Sequence, residues 1–268
     1  MKAAFADWKD IKAPLLFLAA VLLTGRFLVL PHFSSWKGSA VQEIELLTET
    51  PYETRAWVND SGVEGPTVVV VAGIHGNEPA GILAAEQMIE RMPARGKLVL
   101  IPRANQPAIA DQVRHPISMQ DLNRSFPGKN PGTTTEEAAF AIHEMITQQQ
   151  PSLVLDLHES FGRIGTHPLA LGQSLIVNHP EGMADFIMSL MDAVNRSTAA
   201  SDPFTWEYPP LKGTLAAELR EVEIQAVTVE TDMGLPLRQR EAMHLEVIYQ
   251  TMEILGMMPL GQPDKGVE

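Results

Sequence analysis

Residues 67–78 read Thr67-Val68-Val69-Val70-Val71-Ala72-Gly73-Ile74-His75-Gly76-Asn77-Glu78. The first half is a run of β-branched apolar side chains closed by glycine, the pattern of a strand covered on both faces. Two metal-ligand residue types follow, His75 and Glu78, with Gly76 between them to let the backbone turn. Pro79 suits the first turn of a helix and puts Glu78 at that helix's start. A strand end followed by a tight turn holds an imidazole and a carboxylate towards one point. Two histidines and a carboxylate form one of the catalytic zinc ligand sets, and that set leaves a coordination position for water. The stretch supplies half of such a site and lacks a second histidine.

Working outward, the pattern predicts an alternation of strands and helices. Residues 41–47 and 54–59 read as a hairpin at a sheet edge. Ser61-Gly62 and Gly65-Pro66 are turns leading into the central strand. Residues 79–92 carry helical apolar spacing at Ile82, Ala85, Met88 and Ile89. Residues 97–102 are a second apolar strand, and residues 103–134 are irregular and rich in Pro, Asn, Gly and Thr. So long an irregular stretch in a compact domain is usually functional. Residues 135–149 predict a helix capped by Thr133 or Thr134, with Glu136 and Glu137 in its first turn. A third buried strand covers 152–157, with His158 and Glu159 at its end. Helices follow at 181–195 and 214–220, then a buried strand at 225–230 and a closing helix at 238–255. This order predicts an α/β fold with a mainly parallel sheet. Ligands bind such sheets beyond the carboxyl ends of the strands, where His75, Glu78, His158 and Glu230 all fall.

Composition narrows the function classes. Hydrophobic residues are 45% of the 268, enough for a full core. The net charge of −13 argues against a nucleic-acid or anionic-membrane surface. With no cysteine there are no disulfides, thiolate zinc ligands or cysteine nucleophiles. Residues 13–30 form an apolar run after Lys2, Lys9 and Lys12, interrupted by Arg26. That pattern predicts a signal peptide or membrane-anchor segment over 1–40, with an exported or anchored domain over 41–268. A helix packed on the domain in the cytoplasm is the alternative.

The chemistry-bearing residues assign themselves by type. His158 completes the zinc set with His75 and Glu78. Asp156, two residues earlier on the same strand face, suits orientation of a ligating histidine. Glu230 ends the strand AVTVE. A carboxylate there suits taking a proton from an activated water and passing it to a leaving amine. Glu159 is a rival, but it neighbours a ligand and its side chain points away. Asn123 and Arg124 offer an amide and a planar guanidinium that suit recognition of a carboxylate. Arg114 suits polarising the scissile carbonyl, with Arg103 as competitor.

HGNE at 75–78, DLNRSFPG at 121–128, DLHE at 156–159 and VTVET at 227–231 resemble the zinc carboxypeptidase superfamily. Within it the sequence is most similar to the succinylglutamate desuccinylase/aspartoacylase branch, over roughly residues 66–255. The resemblance implies a three-layer α/β/α sandwich around a mixed sheet and one Zn²⁺ per chain on His75, Glu78 and His158. It implies Glu230 as general base and acid, Asn123 and Arg124 on a substrate carboxylate, and Arg114 on the carbonyl. Its members hydrolyse an amide next to a free carboxylate. The chain after Glu230 reads as one helix and a tail, an ending more like a peptidase of the superfamily. Tyr208, in a Pro-rich loop, lies where carboxypeptidases place a substrate-capping tyrosine. The expected substrate is therefore an N-acyl amino acid or a short peptide. The alternative from another class is a non-catalytic zinc- and carboxylate-binding protein.

Overall fold

The computed structural model describes residues 39–197 and 203–258. The N-terminal segment expected to be a signal or anchor lies outside the described residues. Among the described residues no helix is long and apolar enough to cross a membrane.

Among the described residues, eight strands form one sheet: β1 (Ala40–Leu46), β2 (Thr54–Asp60), β3 (Thr67–Ala72), β4 (Lys97–Ile101), β5 (Leu153–Ser160), β6 (Ser174–Val177), β7 (Thr205–Glu207) and β8 (Ala226–Asp232). Their spatial order is β1-β2-β4-β3-β5-β8-β6-β7. The middle four, β4-β3-β5-β8, are parallel. β1, β2 and β6 join antiparallel, which makes the sheet mixed. The α-helices among the described residues are α1 (Pro79–Gln87), α2 (Gln106–Asp111), α3 (Thr134–Gln148), α4 (Pro180–Ser197), α5 (Leu215–Arg220) and α6 (Leu237–Ile254).

Val68 to Val71 are fully buried, as a strand covered on both faces requires. Each valine so placed contributes roughly 1.5–3 kcal/mol relative to exposure. Successive residues alternate between two cores. Val68 and Val70 pack with Leu153, Leu155 and Leu157 against α1, α4 and α6. Val69 and Val71 pack with Val154 against α3 and α5. The result is the three-layer α/β/α sandwich.

Several element boundaries differ from expectation, each for a local reason. The helix expected over 79–92 ends at Gln87, and the remainder of that segment forms turns before β4. β5 runs on through His158 and Glu159, because β8 pairs with it as far as Ser160. Strands β6 and β7 were not expected. They are short and gain strand character from pairing with β8 and with each other. The irregular stretch contains α2 and a 3₁₀ turn at Leu122–Arg124. α3 begins with a full capping box between Thr133 and Glu136.

Candidate metal centre and active site

The turn after β3 is shaped by close backbone approach. Gly73 takes the left-handed conformation, with φ +69°. Gly76 does not; it is needed because a Cβ there would lie 1.9 Å from the Ala108 carbonyl oxygen of α2. Its N–H donates to the Val113 carbonyl at 2.9 Å. Asn105 caps α2 and donates to the Ile74 carbonyl at 2.9 Å. Thus α2 fixes the His75 turn and delivers Arg114 beside it.

His75, Glu78 and His158 are all buried, and their ligand atoms lie within 4.8 Å of one another. His75 Nδ1 is 2.7 Å from Glu78 Oε1, and His158 Nδ1 is 2.8 Å from Glu78 Oε2. The ring centroids are 4.8 Å apart. Each ring's far nitrogen meets an acid. His75 Nε2 is 3.2 Å from Asp121 Oδ1. His158 Nε2 is 3.2 Å from Asp156 Oδ1, within ion-pair range although not aligned as a hydrogen bond. An acid on Nε2 favours the tautomer whose Nδ1 lone pair is free to bind a cation.

Charge in this buried space follows from these contacts. Burial opposes ionisation of Glu78, but the two imidazoles outweigh it and lower its pKa to about 2. Burial likewise opposes charging His158, yet Asp156 and Glu78 hold its pKa well above the ordinary value. Glu230 stands across the sheet from His158 in the β5–β8 register and shares its face. Burial foremost, with Glu78 and Asp156 adding repulsion against His158 and Arg114, raises Glu230 to about 8. Four carboxylates thus crowd two imidazoles and Arg114. Surplus buried negative charge with two imidazoles and a carboxylate converging is the environment a divalent cation fits.

Arg114 donates twice to Asp121 Oδ2, at 3.0 and 2.9 Å, and its Nη1 is 3.5 Å from His75 Nδ1. Arg103 turns elsewhere. It pairs with Glu86 at 2.6 Å and lines a cavity of about 280 Å³ with Glu45, Glu53 and Trp57. Asn123 is buried, with Nδ2 3.3 Å from His158 Nε2 and Oδ1 accepting from Leu215 N at 3.4 Å. Arg124 is exposed and donates to the Asn123 carbonyl at 2.6 Å. Tyr208 is 41% exposed, and the Arg220 guanidinium lies 5.4 Å from its ring centre. No described contact joins Tyr208 to the residues around His75.

One residue of the site escaped the sequence reading of individual roles. Asp121 links His75, Arg114 and its own turn, where Oδ1 accepts the Asn123 N–H at 2.9 Å. Burial opposes its ionisation, but His75 and Arg114 outweigh that and hold its carboxyl well below the usual range. The signal available was an acid two residues before an Asn-Arg pair, the spacing of an Asx turn.

Residues 64–255 match the family profile described as the succinylglutamate desuccinylase/aspartoacylase catalytic domain. An N-α-acetyl-L-2,4-diaminobutyric acid deacetylase from Halomonas elongata is 34% identical over 116 residues, 42% of this chain and 34% of the relative. The match therefore spans about a third of that relative's length. An aspartoacylase family protein from Mesorhizobium loti superposes with a TM-score of 0.64 at 22% identity, over 86% of this chain and 71% of that one. Csd4, a D,L-carboxypeptidase from Helicobacter pylori, gives 0.66 at 19% identity, over 72% and 51%.

Proposed function

Because the chain belongs to the succinylglutamate desuccinylase/aspartoacylase catalytic-domain family, we propose that it is a zinc-dependent amide hydrolase acting beside a free carboxylate. The observation that carries this reading is the convergence of His75, Glu78 and His158 with Glu230 facing His158 across the strand pair. Zn²⁺, one per chain, would be held by His75, Glu78 and His158, and would supply Lewis-acid polarisation of a carbonyl and activation of water.

The chain's own residues do the rest. Glu230 accepts a proton from the attacking water and returns it to the leaving nitrogen, so the amine departs neutral. Arg114, braced by Asp121, places its guanidinium beside the scissile carbonyl and stabilises the charge that develops on oxygen. Asp121 and Asp156 fix the two imidazole orientations. Arg124, exposed and able to offer a bidentate fork, binds the substrate carboxylate, with Asn123 alongside. Tyr208 follows β7, in the loop whose Gly213 packs against the Arg124 backbone, and is assigned to substrate binding.

The substrate is an N-acyl amino acid or a short peptide with a free carboxylate. The deacetylase name of the Halomonas relative supports the first, and the carboxypeptidase of like fold is compatible with the second. A pure binder has no use for a buried carboxylate at position 230, which weighs against the non-catalytic alternative. Residues 13–30 motivate the further proposal of export or membrane anchoring, tested by fractionating cells that express the chain with and without residues 1–40. The central test is zinc analysis of the purified protein with a hydrolysis screen over N-acyl amino acids and dipeptides. One zinc per chain and release of free amine are expected. Stoichiometric zinc with no turnover across both classes would favour the binder.

A further inference from the structure

Glu159 and Arg240 stand behind the candidate ligands and take no part in the chemistry above. Glu159 follows His158 on β5, so its side chain leaves by the opposite face, towards α1 and α6. There Oε1 accepts the Ala80 backbone N–H at 2.8 Å, and Oε2 is ion-paired with Arg240 of α6. The backbone N–H of Glu159 meanwhile donates to Glu78 Oε2 at 3.0 Å. One residue thus touches Glu78 from the front and the helix that carries it from behind.

The need arises in α1. The first N–H groups of a helix have no partner within it, and a side chain at the N-cap usually supplies one. The N-cap of α1 is Glu78, which makes no side-chain cap bond. Its carboxylate faces the two histidines instead. A ligand cannot also be the cap, so the acceptor comes from another strand. Glu159 also brings negative charge to the positive end of the helix dipole. A carboxylate so buried needs a counter-charge, and Arg240 provides it. Arg240 is itself anchored, its Nε donating to the Leu235 carbonyl at 3.0 Å. Gly81 makes the arrangement reachable. A Cβ at Gly81 would lie 2.8 Å from Leu157 Cβ, so the first turn of α1 rests directly on β5.

We propose that Glu159 and Arg240 are positioning residues that clamp the start of α1 and thereby hold the Glu78 carboxylate between His75 and His158. The proposal rests on the metal-site reading above. Its consequence falls on how tightly and how long the cation is held.

The test compares full-length wild type with Glu159→Gln, Arg240→Ala and Arg240→Lys. Zinc affinity is measured by chelator competition, and the thermal midpoint is measured on metal-free protein. Glu159→Gln keeps an acceptor for Ala80 but loses the ion pair, and its zinc affinity should fall about tenfold. Arg240→Ala should lose roughly 10–100-fold, and Arg240→Lys should recover most of that. In Glu159→Gln the loss should appear with a metal-free midpoint close to wild type, which a purely structural role would not produce. Glu159→Gln is nearly isosteric and decides the matter if Arg240→Ala fails to fold. Wild-type zinc affinity in Glu159→Gln overturns the clamp, as does a loss that merely tracks the midpoint. Wild-type protein that takes up no zinc overturns the metal reading itself, and the clamp with it.

Discussion

The two halves of the site are built in different ways. His158, Asp156 and Glu230 sit on neighbouring parallel strands, β5 and β8, whose register puts His158 opposite Glu230. His75, Arg114, Asp121, Asn123 and Arg124 sit on turns held by α2 and by each other. Both imidazoles have an acid behind Nε2. For His158 that acid is two residues away on the same strand. For His75 it comes from a loop distant in sequence. The same device is therefore rigid by construction on one side and dependent on a loop's hydrogen bonds on the other.

The largest effect expected concerns the strand half. Glu230→Gln keeps size and loses proton transfer, so kcat should fall roughly 10³-fold while zinc uptake stays at the wild-type level. Steady-state rates with metal analysis check this, and an unimpaired variant removes Glu230 from the reaction. A direct contest between the halves comes next. Asp121→Asn frees both His75 and Arg114 and should weaken zinc binding by up to about 100-fold, with a further loss in kcat/KM. Asp156→Asn should cost nearer tenfold in affinity, since β5 still aims the ring. If Asp156→Asn proves the more damaging, the contrast between strand and loop is wrong. Smaller again, Arg124→Ala should raise KM for carboxylate-bearing substrates about tenfold and leave kcat nearly unchanged.

The mildest expectation is a pH effect on metal-free protein. Glu230 is raised from 4.5 to about 8 in the fold. Between those values the folded chain keeps a proton that the unfolded chain has lost, so stability declines as pH rises. His158, held above its ordinary 6.5, acts in the same direction. Glu78, lowered from 4.5 to about 2, acts oppositely, its stabilisation fading as pH falls through that lower window. His244, which burial lowers from 6.5 to about 3, opposes this below pH 6.5, so melting curves should show a falling midpoint from pH 6.5 to 8. Glu230→Gln should flatten the fall and gain roughly 5 °C at pH 8. A rising wild-type midpoint over that range would contradict the charge balance described here.

Much of the architecture was readable because it depends on local patterns. The valines of β3, the Pro79 helix start, the capping residues before α3 and the order of the motifs all signal themselves within a few residues. β6 and β7 did not, being short segments whose strand character comes from their partners. Arg103 and Arg114 both looked able to reach the site. Only folding sends the first to Glu86 and the second to Asp121.

Sequence by itself determined the residue types, their order and the strand ends on which they ride, because apolar periodicity and turn chemistry act over short distances. Tertiary structure decided which groups meet: Asp121 with His75, and Glu159 with Ala80 and Arg240. Those meetings depend on strand register, on which face each side chain leaves, and on how closely a glycine lets a helix approach. Such quantities exist only once distant segments have packed together.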